Sequence, residues 1–225
     1  GNRDESNGDL DPQIISTGVT YTTDIGNNNL WLALTYEEHD EWVAASNNQN
    51  QGFDNLGPGL SDVSEPGASL GTGTCTDSDD DAWRVAGRWI QDWGNGQSTA
   101  LSAMYEELSW DLDCDFDSLF NDLEVEHWMI GLKHNFSGPL DIRFTYMDAD
   151  EYDCKDTAAC VEDDTDANAF NVGLFYTMPA GTELRLVYSE VDNEDNATYD
   201  FGINGAGLGA GDDASAIGIG MVQWF

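Results

Sequence analysis

Residues 82–110 read AWRVAGRWIQDWGNGQSTALSAMYEELSW, and this stretch decides the fold. Side chains leave a strand on opposite faces at every second position, so Trp83, Val85 and Trp89 share one face while Arg84 and Arg88 share the other. A tight turn at residues 94–97 interrupts the alternation, which resumes over residues 98–110. The apolar phase slips near Glu107, which predicts a bulge there. The stretch is therefore an antiparallel hairpin with one apolar and one polar face.

The same unit recurs along the chain. Strands are predicted at residues 13–23, 30–38, 82–93, 98–110, 124–136, 140–147, 169–178, 182–191 and 214–225, nine in all. The connections 24–29, 94–97, 137–139 and 179–181 are short, whereas 39–81, 111–123, 148–168 and 192–213 are long and polar. The segment 111–123 reads as an acidic loop with room for one helical turn carrying Leu119, Phe120 and Leu123. A strand of about ten residues crosses about 30 Å of hydrocarbon when tilted. Nothing in a soluble sandwich makes every second connection short, but a membrane barrel has short turns at one rim and long loops at the other. The expected fold is all-β, an antiparallel transmembrane β-barrel forming a single domain over residues 1–225.

Charge adds to this. The chain of 225 residues carries 44 Asp and Glu against 7 Lys and Arg, a net charge of -37. Nucleic acid is excluded as a partner, because phosphate binding needs a basic footprint. No apolar run is long enough for a membrane-spanning helix. The long connections hold most of the acids, so charge is segregated to one rim, and the rim field predicts mild cation selectivity.

A cation facing lipid at mid-bilayer costs roughly 2–4 kcal/mol, so basic residues are expected to face inward. Arg84, Arg88, Lys133, Arg143 and Arg185 all fall on the polar phase, with the acids Glu37, Asp92, Glu106, Asp141 and Glu183. This balanced set is the predicted pore lining, and it either bridges internally or sets a transverse field across the lumen. Tyr21, Trp93, Phe136, Tyr176 and Phe225 stand near the short turns, and Tyr36, Trp83, Tyr105, Trp128 and Tyr146 toward the loops, as interfacial belts require. Cys75, Cys114, Cys154 and Cys160 form an even set in polar segments with no C-x-x-C spacing, which suits two disulfides in any of three pairings.

The final stretch, ASAIGIGMVQWF at residues 214–225, places Ile217, Ile219, Met221 and Phe225 on one face and Gly218 and Gly220 on the other. With the run of strand, short turn, strand and long acidic loop before it, this stretch resembles the trimeric general porins of Gram-negative outer membranes. The resemblance implies a water-filled channel for passive diffusion of small hydrophilic solutes and ions, a homotrimer, and contact with outer-membrane lipids and lipopolysaccharide. It also implies that Ile217, Ile219, Met221 and Phe225 are the signal read by the barrel assembly machinery, although Gln223 departs from the family's pattern. In such a barrel the long loops are extracellular and the C-terminus periplasmic. Nine strands that start at the loop rim then make this chain the C-terminal portion of a larger barrel of about 16 strands.

The alternative is a structural or receptor barrel binding lipopolysaccharide or a partner through its acidic loops. Enzyme activity is not expected, because His39 and Asp40 beside Glu37 and Glu38 lack a recognisable catalytic partner. No cofactor is expected either. Asp113, Asp115, Asp117 and Glu124 have the spacing of a calcium loop but lack its glycine, so a solvated acidic loop is the simpler reading. Residues 77–81 and 163–166 are further places where loop-bound calcium or magnesium would bridge to lipopolysaccharide.

Overall fold

Period-two alternation builds one sheet. The computed structural model describes residues 13–40, 75–114, 122–155, 162–179, 181–201 and 208–223. Its strands are β1 (Gln13–Ile25), β2 (Asn28–Asp40), β3 (Cys75–Gly94), β4 (Gln97–Cys114), β5 (Asp122–Asn135), β6 (Leu140–Ala149), β7 (Asp153–Lys155), β8 (Ala167–Thr177), β9 (Thr182–Asn193) and β10 (Ala214–Gln223). They pair antiparallel in the order β1-β2-β3-β4-β5-β6-β8-β9-β10, and the short β7 pairs with β5. Among the described residues there is no helix, and no pairing joins β1 to β10.

The nine predicted strands are all present, but several run past the predicted ends. β3 begins at Cys75 and β4 continues to Cys114, so segments read as loop at 75–81 and 111–114 are paired strand, and β7 adds a strand inside 148–168. A ladder is bonded through backbone groups, so acidic side chains do not prevent it. Leu123 lies in β5 rather than on a helical turn, and Leu119 and Phe120 lie outside the described residues.

The predicted bulge at Glu107 is absent. The β3/β4 register is continuous from Asp77↔Asp113 to Asp92↔Ser98, and its irregularities fall at Cys75/Asp77 and Asp92/Gly94. The surroundings change at Glu107, not the backbone. Beyond Glu106, Leu108 and Trp110 take the phase of the polar residues because Leu123, Val125 and Tyr152 are there to cover them.

The turns follow residue chemistry. Asn95 and Gly96, with φ of 54° and 77°, close the β3–β4 hairpin in the left-handed region that Asn and Gly tolerate. Gly26, at φ 64°, does the same between β1 and β2.

The two faces differ in chemistry. Leu32, Leu34, Val85, Leu101, Ile130, Leu174, Leu186 and Ile219 stand exposed on one, Ile219 to 86%. So broad an apolar surface fits contact with lipid. Toward the loop end it closes on a row of aromatic contacts, Trp83 with Tyr105 at 5.1 Å, Trp128 with Tyr146 at 5.2 Å and Phe170 with Tyr188 at 5.7 Å between centroids. Acids stand just beyond: Tyr36 donates to Glu38 at 3.4 Å, Tyr146 to Asp148 at 3.3 Å, and Tyr188 to Glu190. Each tyrosine has its ring in the apolar zone and its hydroxyl in the polar one.

Candidate functional site

The opposite, charged face carries the candidate site. Alternation turns Lys133 of β5, Asp141 and Arg143 of β6, and Glu183 and Arg185 of β9 to this face, and pairing brings them together. Lys133 Nζ lies 3.8 Å from Asp141 Oδ2, Arg143 Nε donates to Asp141 Oδ1 at 2.7 Å, Arg143 Nη2 reaches Glu183 at 3.4 Å, and Arg185 Nε donates to Glu183 at 2.6 Å. The result is an unbroken chain of alternating charge. Asp141 is only 7% exposed, a burial that its cationic partners offset.

Phe175 of β8 lies beneath this chain. Its ring centroid is 3.7 Å from the Arg143 guanidinium carbon and 5.8 Å from that of Arg185, and it is 9% exposed. Cation–π attraction thus fixes two arginines over one ring. The ring needs Gly173, because a Cβ there would stand 2.6 Å from Phe175 Cε2. A cavity of about 390 Å³, lined among others by Lys133, Asn135, Asp141, Arg143 and Glu183, opens beside the ladder at the short-turn rim.

A second group lies nearer the loops. Arg84 of β3 contacts Glu106 of β4, and His127 Nδ1 of β5 is 3.8 Å from the other Glu106 oxygen. Glu37 accepts from Ser16 at 2.6 Å and faces His39 Nε2 at 2.9 Å. Two predicted members stand apart. Asp92 accepts from the Gly94 amide at 2.7 Å and so caps the turn. Arg88 has no carboxylate partner among the described residues and stands 6.0 Å from the Trp31 ring centroid.

The loop-rim end of this face is covered. Residues 194–201 and 208–213 are tied down by Asn193, whose Nδ2 donates to the Tyr199 and Asp212 carbonyls at 2.9 and 2.8 Å while its Oδ1 accepts from the Tyr199 amide at 2.9 Å. Ala149, Ala167, Val191, Ala197 and Tyr199 form a small core there, with Tyr199 edge-on to His127 at 6.4 Å. Burial pushes the Tyr199 hydroxyl well above its ordinary pKa. Glu194 is raised too, chiefly by Asp166, with burial and Asp164, Asp192 and Asp195 adding to it.

Sequence reading missed Phe175 and this docking segment. It also missed a row of methionines: Met104 pairs with Met129, and Met129 with Met147, all on the charged-face phase. Their signal was present, since each adjoins an aromatic of the opposite face, Tyr105, Trp128 or Tyr146.

Among the described residues, Glu107, Glu124 and Glu126 have ligand oxygens within 4.8 Å of one another, the geometry for sharing a cation. Of the calcium-loop candidates, Asp113 and Glu124 are ladder residues of β4 and β5, and Asp115 and Asp117 lie outside the described residues. Ile217, Ile219 and Met221 are exposed in β10, and Phe225 lies outside the described residues. The backbone of Cys75 is directly opposite that of Cys114, Cys154 is opposite Leu123 in β7/β5, and Cys160 lies outside the described residues.

Residues 1–196 match a family described as Gram-negative porin. The match ends before β10, so the closing strand that carried the resemblance stands outside it. No curated protein matches the chain.

Gly173→Ala is expected to displace Phe175 and release Arg143 and Arg185, costing about 1–3 kcal/mol in thermal unfolding. A second outcome concerns pH. The raised Glu194 pKa means that the folded loop binds more protons than the unfolded one, so loop stability falls as pH rises through and above the ordinary carboxylate range. Exchange of the Tyr199 amide, corrected for intrinsic rate, should slow as pH drops into that range, and added salt should flatten the trend.

Proposed function

Because the chain belongs to the Gram-negative porin family, a family of outer-membrane channels, we propose that it forms a water-filled path for passive diffusion of small hydrophilic solutes and ions, with its charged face as the wall. The observation that carries this reading is the ladder from Lys133 to Arg185, set on the face opposite an apolar surface suited to lipid. Cations and carboxylates interleaved along a wall set a local transverse field, while the net charge of -37 draws cations to the rim. The ladder is close to neutral, so selectivity is mild and favours cations. No step of bond making is assigned to any residue.

Orientation follows from the same reading. The long acidic connections are extracellular and the short turns periplasmic, as is the C-terminus. Further strands pair with the β1 and β10 edges, since an open edge does not persist in hydrocarbon. Ile217, Ile219, Met221 and Phe225 serve as the assembly signal, the working unit is a homotrimer, and lipopolysaccharide contacts the acidic rim. One observation favours a structural or receptor barrel with an obstructed lumen: the docking of Tyr199 over the charged face.

Planar-bilayer recording separates these readings. A channel gives ohmic conductance and, in a potassium chloride gradient, a reversal potential of cationic sign, whereas an anionic sign would remove the selectivity proposal and absence of conductance would favour the receptor reading. The disulfides are tested separately. Residues directly opposite in an antiparallel pair have Cα atoms about 4.5–5.5 Å apart, within disulfide range, so the register favours Cys75 with Cys114 and leaves Cys154 with Cys160. Non-reducing peptide mapping should recover those two linkages, and recovery of Cys75 joined to Cys154 or Cys160 would refute the pairing.

A further inference from the structure

Three of the chain's five methionines occupy one pairing row on adjacent strands. Met104 of β4 is directly opposite Met129 of β5, and Met129 is directly opposite Met147 of β6. All three share the phase of Glu106, Lys133 and Arg143, so they project from the charged face. The neighbouring rows are polar or small, Ser102, Gly131 and Thr145 on one side and Glu106 and His127 on the other.

Core packing does not account for this row. Among the described residues, the buried clusters on this face are built on Trp110 and on Tyr199, and none of the three methionines belongs to either. Met147 remains 38% exposed. Directly opposite Cα atoms are about 4.5–5.5 Å apart, within the reach of a flexible three-torsion side chain, so the thioethers can converge on one point. A second observation points to a ligand. His127 stands two residues from Met129 on the same face, its Nδ1 faces Glu106 at 3.8 Å, and its Nε2 is buried with no hydrogen-bond partner. Imidazoles oriented through one nitrogen by a carboxylate commonly offer the other to a metal.

We propose that Met104, Met129 and Met147 form a binding site for a soft monovalent cation, Cu(I) or Ag(I), held by thioether sulfur, with His127 on the adjoining row as an additional donor. Thioethers are soft, uncharged donors that select such ions, whereas potassium, magnesium and calcium prefer oxygen. The acidic rim concentrates every cation, and the methionine row discriminates among those that arrive. The site depends on the channel reading only for how the ion reaches it; binding itself does not.

The test is silver nitrate titration of the full-length protein in detergent and chloride-free buffer, after capping free thiols, with methionine methyl groups labelled for NMR. The methyl signals of Met104, Met129 and Met147 should move together and saturate, while those of Met178 and Met221 stay in place. Met129→Leu keeps the apolar volume and deletes the sulfur, and should weaken binding by at least the roughly tenfold typical of losing an outer-shell partner. Uniform shifts of all five methyls, no shift at all, or unchanged affinity in Met129→Leu would each overturn the proposal. Unchanged far-ultraviolet circular dichroism and thermal unfolding of the same variant show that it has folded. A protein that binds silver but does not conduct would refute the channel and leave this site standing.

Discussion

The structure depends on one constraint: in hydrocarbon, a backbone amide or carbonyl without a partner costs several kcal/mol. Along the path β1 to β10 each strand pairs antiparallel with its neighbours, and among the described residues the outer edges of β1 and β10 are left to be satisfied. Once the ladders are fixed, the face and the lateral neighbours of each side chain are fixed with them. A one-residue slip would exchange the lipid-facing and charged sets, so register is under heavy penalty. Arg143, Arg185 and Phe175 meet because β6, β8 and β9 are held in one register.

That constraint explains how so acidic a chain tolerates a membrane. On the apolar face the change to polar surroundings is made within two residues, as in Tyr146 and Asp148 or Tyr188 and Glu190, with the hydroxyl bridging the zones. On the charged face, acids and bases alternate closely enough that the carboxylates are neutralised in place. The surplus of negative charge is left to the rim. There, acids raise one another's pKa, as Asp166 does that of Glu194.

The described part of the rim is nevertheless tied together. Asn193 satisfies the backbone of Tyr199 and the Asp212 carbonyl at once, and Asn196 donates to the Asp163 carbonyl at 2.9 Å, joining two connections that are distant in sequence. Burial of Tyr199 with Ala149, Ala167 and Val191 holds this arrangement against like-charge repulsion. The charged face is thus roofed near the loops.

The sequence by itself determined the strands, their antiparallel order, the short turns and the phase of the five cations, because alternation and turn chemistry are local. It also indicated the family to which the chain belongs. It misplaced the ends of β3 and β4, since acidic residues read as loop while backbone pairing is indifferent to them, and it read a bulge at Glu107 where only the neighbours changed. Tertiary structure alone decided which acid serves which base, that Asp92 caps a turn instead of joining the ladder, that Phe175 lies under two arginines, and that Met104, Met129 and Met147 are adjacent. Phase along one strand says which face a residue takes. Only the register between strands says what stands beside it.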